Sequence, residues 1–261
     1  MINIKHCKET FLKHLDKYED KTTLGFDLKL KHTYRVMQIS KTIGKNLNLS
    51  KEEVKLAEVI ALLHDIGRFE ELLYLKKFDS AKFDHAAIGV KILFEENVIE
   101  KFNIDKKYYD IIYKAVLYHS RKTLPEDLTE EELLQSKIIR DSDKLDNFKL
   151  KLRSRANKCF PGNINSRKEV ETSLISDKVY ESIMKRECVD VKDRKTPLDL
   201  FICILGFTYD LNFKESLEIV KENDYINRII DKFEYTNPDT INKLEDIRNE
   251  LNNYILEKLN K

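Results

Sequence analysis

Chain breakers are scarce: there are 6 glycines, and proline occurs only at 125, 161, 197 and 238 of 261 residues. No segment alternates apolar and polar residues convincingly, so little room is left for β structure. Charge of one sign is also missing. With 47 basic against 46 acidic residues the net charge is +1, which gives no global attraction to nucleic acid or an anionic membrane. Nor is there a run of about 20 apolar residues, the length a bilayer-spanning helix needs. The longest candidate, PLDLFICILGFTYDL, is too short and is interrupted by Asp199. The cysteines, at 7, 159, 188 and 203, are far apart and form no CxxC pair. The opening MINIKHCKETFLKHL is charged throughout and follows no export-signal pattern. These absences predict a soluble cytoplasmic protein with reduced thiols.

Present instead is helical periodicity. Apolar residues recur at steps of three and four, and the expectation is an all-α fold with helices over about 3–18, 28–48, 51–64, 85–97, 107–119 and 130–150. Two capping boxes mark starts, Ser50 with Glu53 and Thr129 with Glu132. A turn-rich stretch, CFPGNINSRKE at 159–169, is the best boundary candidate, dividing 1–160 from a helical extension over 161–261, and a loop within one domain that includes the extension is equally compatible. Within that extension helices are expected near 169–186, 197–211, 214–234 and 239–260. The last carries Ile241, Leu244, Ile247, Leu251, Ile255 and Leu259 on one stripe, which serves either core packing or a homodimer contact.

Four of the six histidines fall on apolar helix faces. His32 shares a face with Val36, Ile39 and Ile43, and His64 with Val54, Ala57 and Ala61. His85 goes with Ile88 and Ile92, His119 with Ile112 and Ala115, and Asp143 follows Ile139 by four. A single inward histidine is usually a hydrogen-bonded core residue. Inward carboxylates are different, because an unpaired charge in a core is strongly unfavourable, and Asp65 raises the same problem beside His64. Convergence of these groups on cations resolves both, with neutral imidazole nitrogens as ligands. His6 and His14 lack such partners and read as surface or structural residues.

The ordered set His32, His64-Asp65, His85, His119, Asp143 resembles the HD-domain metal-dependent phosphohydrolase superfamily, whose H…HD…D signature it fits. His85 and His119 look like the H-HD-H-H-D elaboration of two-metal members, such as HD-GYP-type and cyclic-di-AMP phosphodiesterases. The strings HDIGR, HAAIGVKIL and SDKLDN agree, and the resemblance covers 32–147. In DSDKLD the family ligand precedes a basic residue and leucine, which selects Asp143 over Asp141; Asp141 and Asp146 are read as supports. HSRKTLPEDL lacks the adjacent histidine and the GYP string, against cyclic-di-GMP as substrate. Arg68 and Phe69 stand where ppGpp hydrolases carry a Glu-Asp pair.

The resemblance implies an HD-domain helical bundle with additional C-terminal helices. It assigns a first ion to His32, His64, Asp65 and Asp143, and a second to His85 and His119 with Asp65 shared. Manganese, iron, nickel, cobalt or zinc would suit these ligands. A bound ion lowers the pKa of water and generates hydroxide, which would hydrolyse a small phosphate ester, a nucleotide above all. Asp65, Arg68 and Lys144 are the expected catalytic residues. Arg68, Arg121, Lys144 and Asn147 are the expected substrate contacts, whereas Arg35 and Lys122 read as solvated surface. The alternative is a non-catalytic sensor that binds a nucleotide in the same metal pocket.

Overall fold

The computed structural model describes residues 1–18, 24–75, 83–153 and 166–260. They are helical, with no strand among the described residues, and the fold is all-α. No helix among them is long and apolar enough to cross a membrane. Internal contacts divide the chain into two units, Met1–Asp143 and Lys144–Lys261. The expected boundary near 160 lies outside the described residues, as does Cys159.

The first unit holds α1 (Ile4–Leu15), α2 (Leu24–Asn46), α3 (Lys51–Leu63), α4 (Ile66–Leu75), α5 (His85–Val90) and α6 (Tyr109–Tyr118). It also holds the first half of α7 (Glu130–Arg153). The helix expected over 85–97 is α only to Val90, continues as a π turn over Lys91–Glu95, and gives way to a 3₁₀ turn over Val98–Phe102.

The central helix is α3, buried at every position from Leu56 to Leu63. A helix apolar all round belongs inside, and α3 packs on α1, α2 and α6. Its one buried acid, Glu58, pairs with Lys41 at 3.2 Å. The Ser50–Glu53 box closes at its start as the spacing predicts, and the Thr129–Glu132 box closes reciprocally before α7. Helix α4 is one that the periodicity reading left out. Its Phe69 meets Phe26 and Phe11 at ring-centroid distances of 5.0 and 5.9 Å, which seats α4 on the core. The second half of α3's neighbourhood is set by α7, where Ser142 meets Ser40 of α2 and Gln135 donates to the Glu53 carbonyl of α3.

The second unit holds the end of α7 with α8 (Arg167–Glu171), α9 (Asp177–Met184), α10 (Pro197–Ile202), α11 (Lys214–Glu222), α12 (Tyr225–Ile230) and α13 (Pro238–Leu259). Two expected helices are broken. Residues 169–186 split around an irregular stretch at 173–176, where Ser176 is held by the buried Asp199 carboxylate at 2.9 Å. Residues 214–234 split at Asp224, whose φ of 51° ends the α-helical path. The 197–211 helix passes into a 3₁₀ turn at Cys203. On α13, Leu244, Ile247, Leu251 and Ile255 are buried against α9, α11 and α12, so core packing accounts for most of the stripe.

Candidate metal centre

Where α3 ends, the chain bends without leaving the core. His64 is the C-cap of α3, its N–H bonded to the Ile60 carbonyl at 2.8 Å, and α4 starts two residues later. A Cβ on Gly67 would lie 2.1 Å from the His85 carbonyl oxygen and 2.8 Å from the Gly89 nitrogen. Only glycine admits that approach. It sets the head of α5, and with it His85, against the His64-Asp65 corner.

All six expected ligands meet there. Asp65 Oδ2 lies 3.0 Å from His64 Nε2 and 3.4 Å from His32 Nε2. Its other oxygen, Oδ1, lies 3.5 Å from His85 Nε2 and 3.6 Å from His119 Nε2. Of the two aspartates in DSD, Asp143 reaches the cluster, with Oδ1 3.2 Å from His32 Nε2. The four histidines and Asp65 are buried, while the Asp143 side chain is 26% exposed.

Protonation follows from the surroundings. The Nδ1 of His64 is 2.7 Å from the Ala61 carbonyl, and that of His119 is 2.7 Å from the Val116 carbonyl. A carbonyl accepts only from an N–H, so the proton sits on Nδ1 and Nε2 offers a bare lone pair. Burial also pushes His64 below its ordinary 6.5, against the pull of Asp65, and lowers His85 to about 2. Burial would raise Asp65, but the Lys29 ammonium on its Oδ2 helps hold the carboxyl well below its usual range. Asp143 is lowered too, burial being outweighed by the His32 imidazole 3.2 Å from its Oδ1.

The His64 and His119 lone pairs therefore face Asp65 oxygens at 3.0 and 3.6 Å, and acceptor-to-acceptor contacts of this kind are repulsive unless a cation lies among them. The Nε2 of His85 stands 3.1 Å from that of His119. Two sets of ligand atoms, His32/His64/Asp143 and His64/Asp65/His119, each lie within 4.8 Å of one another, close enough to hold a divalent metal. The orphaned, buried Nε2 of His64 fits such an ion.

Of the expected substrate contacts, Arg68 bonds the buried Glu71 at 2.6 Å and has its Nε 3.7 Å from Asp65 Oδ1. Arg121 pairs with Asp84 at the surface. Lys144 and Asn147 belong to the second unit, where Lys144 pairs with Asp210 at 2.9 Å. Sequence reasoning missed Lys29, whose ammonium donates to Asp65 Oδ2. Its one signal was its place a helical turn before His32.

Comparison with known proteins agrees over the same region. Residues 30–147 match the HD domain family. The chain is 30% identical over 150 residues to a deoxyguanosinetriphosphate triphosphohydrolase-like protein of Clostridium tetani, covering 54% of this chain and 38% of that protein. It is 29% identical over 124 residues to ribonuclease Y of Mycoplasmoides gallisepticum, covering 44% and 20%. The chain thus spans well under half the length of either curated relative. No solved structure matches it significantly. The family match and the gathered histidines and aspartates cover the same helices, so the HD domain likeness of residues 30–147 and the candidate metal centre fall on one part of the chain.

Proposed function

We propose that this protein hydrolyses a small phosphate ester, a nucleotide in the first place, at a centre holding one or two divalent ions. One observation carries the reading: the two oxygens of Asp65 face separate imidazole sets, His64 and His32 on one side, His85 and His119 on the other. A carboxylate so placed suits a bridge between two cations. His32, His64, Asp65 and Asp143 would hold the first and His85, His119 and Asp65 the second, from among manganese, iron, nickel, cobalt and zinc. When bound, such ions supply Lewis acidity toward a phosphoryl oxygen and make water a nucleophile at neutral pH.

The chain's own residues do the rest. The Ala61 and Val116 carbonyls fix the His64 and His119 tautomers, so both Nε2 atoms stay available. Asp65 and Asp143 stay ionised. Two carboxylates set among imidazole nitrogens, with Lys29 beside Asp65, suit an added divalent ion. Arg68, oriented by Glu71 at the pocket wall, and Arg121 are the proposed phosphate contacts within the first unit.

A nucleotide is favoured over a polymer because the net charge of +1 provides no broad basic surface. The name of the triphosphohydrolase-like relative points the same way. Cytoplasmic location is part of the proposal, consistent with the lack of a membrane-crossing helix among the described residues.

The test is a panel of nucleoside phosphates and cyclic dinucleotides assayed with each of the five metals after chelation. Metal-dependent product release is expected. Tight nucleotide binding with no turnover under every metal would move the reading to a sensor, and neither binding nor turnover would remove both.

A further inference from the structure

Arg140 lies buried on α7, one helical turn before Asp143. It donates to three backbone carbonyls, those of Tyr118 at 3.3 Å, Lys122 at 3.3 Å, and Arg121. These carbonyls bracket His119, which caps the end of α6. Tyr118 is the last residue of α6, and its carbonyl, which also accepts the Arg121 N–H at 3.2 Å, lies at the negative end of the helix dipole; the other two carbonyls belong to the turn that follows, so a fork of cationic N–H donors joins helix end and turn.

The same segment is held from the other side. Arg121 pairs with Asp84, and Asp84 also caps α5 by accepting the Ala87 N–H at 3.0 Å. His85 is the next residue after that cap. The stretch 118–122 is therefore suspended between α7 and the head of α5. With His119 on it and His85 at its far anchor, the 3.1 Å separation of their Nε2 atoms depends on both ties.

We propose that Arg140 is a positioning residue that sets His119 against His85 and so shapes the second cation pocket. The proposal rests on the reading that His85, His119 and Asp65 hold an ion. Through these three bonds Arg140 acts on the backbone that carries His119. Because it shares α7 with Asp143, it also ties the geometry of the second pocket to the helix that completes the first.

The test titrates cobalt into the metal-free full chain by calorimetry, with visible absorption following each ion, for wild type, Arg140→Gln and Arg140→Lys. Wild type should take two ions. Arg140→Gln should keep the first and bind the second roughly tenfold to hundredfold more weakly, the usual effect of losing a group that orients a ligand. Arg140→Lys, which keeps the charge but reaches fewer carbonyls, should fall between them. A merely structural role would lower both affinities together, and that outcome, or an unchanged second affinity, overturns the proposal. If Arg140→Gln does not fold, Arg140→Lys carries the same comparison, and a wild-type second affinity in it overturns the proposal. A wild-type protein that takes up one ion or none overturns the two-ion reading itself, and the positioning role falls with it.

Discussion

The Lys29 ammonium donates to Asp65 Oδ2, the same oxygen that His64 Nε2 approaches to 3.0 Å and His32 Nε2 to 3.4 Å. An internal cation therefore neutralises the oxygen on which an added cation would have to act. The two compete for one charge, and the competition can be measured.

Replacing Lys29 with methionine keeps the length of the side chain and removes its charge. Among the described residues, Asp65 is then left nearly buried with only the Arg68 Nε, 3.7 Å from its other oxygen, as a cation beside it, and breaking a buried pair costs up to about 3–5 kcal/mol. Metal-free Lys29→Met should melt well below wild type, and a divalent ion should restore more of its stability than it adds to wild type. The same variant should bind that ion more tightly relative to its folded state. Thermal melts with and without manganese check both parts, and equal melting of the two metal-free proteins would remove Lys29 from the charge balance.

The lowered histidines fix a pH dependence of the metal-free protein. An unfolded histidine takes up a proton near pH 6.5, whereas His85 in the fold resists it down to about 2 and His64 is lowered in the same direction. Between those limits the unfolded chain binds more protons, so stability falls as pH falls below 6.5. The slope approaches about 1.4 kcal/mol per pH unit for each such histidine. Asp65 and Asp143, held below the ordinary 3.8, add a further loss only when the pH drops under that value. Denaturant titrations at pH 7, 6 and 5 in chelator should show this decline, and a flat profile from 7 to 5 would contradict it. Divalent ions should counter the decline less well at low pH, because protons compete for the same nitrogens.

Much of this site is legible in the sequence, for a physical reason. Inward-facing histidines and aspartates are chemically anomalous, so spacing draws attention to His32, His64, Asp65, His85 and His119, while the choice of Asp143 over Asp141 comes from the resemblance to the HD-domain signature. Lys29 and Arg140 escape because each is one of 47 basic residues, and a lysine that meets a buried carboxylate has the same sequence signature as one in solvent. Arg140 is recognisable only once the loop after His119 is folded over it. In the fold, the central helix and both capping boxes could be read directly. The interruptions at 173–176 and Asp224 could not, since Asp199 and a left-handed backbone, not apolar spacing, create them. Helix α4 was hidden by the motif at its head, although Ile66, Phe69 and Leu72 keep a three-residue step.

Gly67 gives a prediction with a steric origin. Alanine there puts a methyl group 2.1 Å from the His85 carbonyl oxygen, a backbone atom that cannot step aside alone. The head of α5 must shift, and overpacking of this kind costs about 1–3 kcal/mol. Since His85 moves with that backbone, Gly67→Ala should weaken the second ion more than the first. Calorimetric metal titration beside a melting curve separates the two effects, and loss of stability with both ions intact would count against the coupling.

Asp65 allows the sharpest comparison. Asparagine has the same shape but no charge, and one of its two atoms facing the imidazoles becomes an N–H donor that cannot share a cation. Because the original oxygens face His64 and His32 on one side and His85 and His119 on the other, Asp65→Asn should impair both pockets at once. His119→Gln alters one side only and should spare the ion among His32, His64 and Asp143. Metal content after dialysis should therefore rank wild type above His119→Gln and His119→Gln above Asp65→Asn. Turnover should fall on the order of a thousandfold or more in Asp65→Asn, the effect of losing several kcal/mol of charge stabilisation. If Asp65→Asn instead retains as much metal as His119→Gln, the carboxylate does not serve both sides, and the two histidine pairs are independent sites.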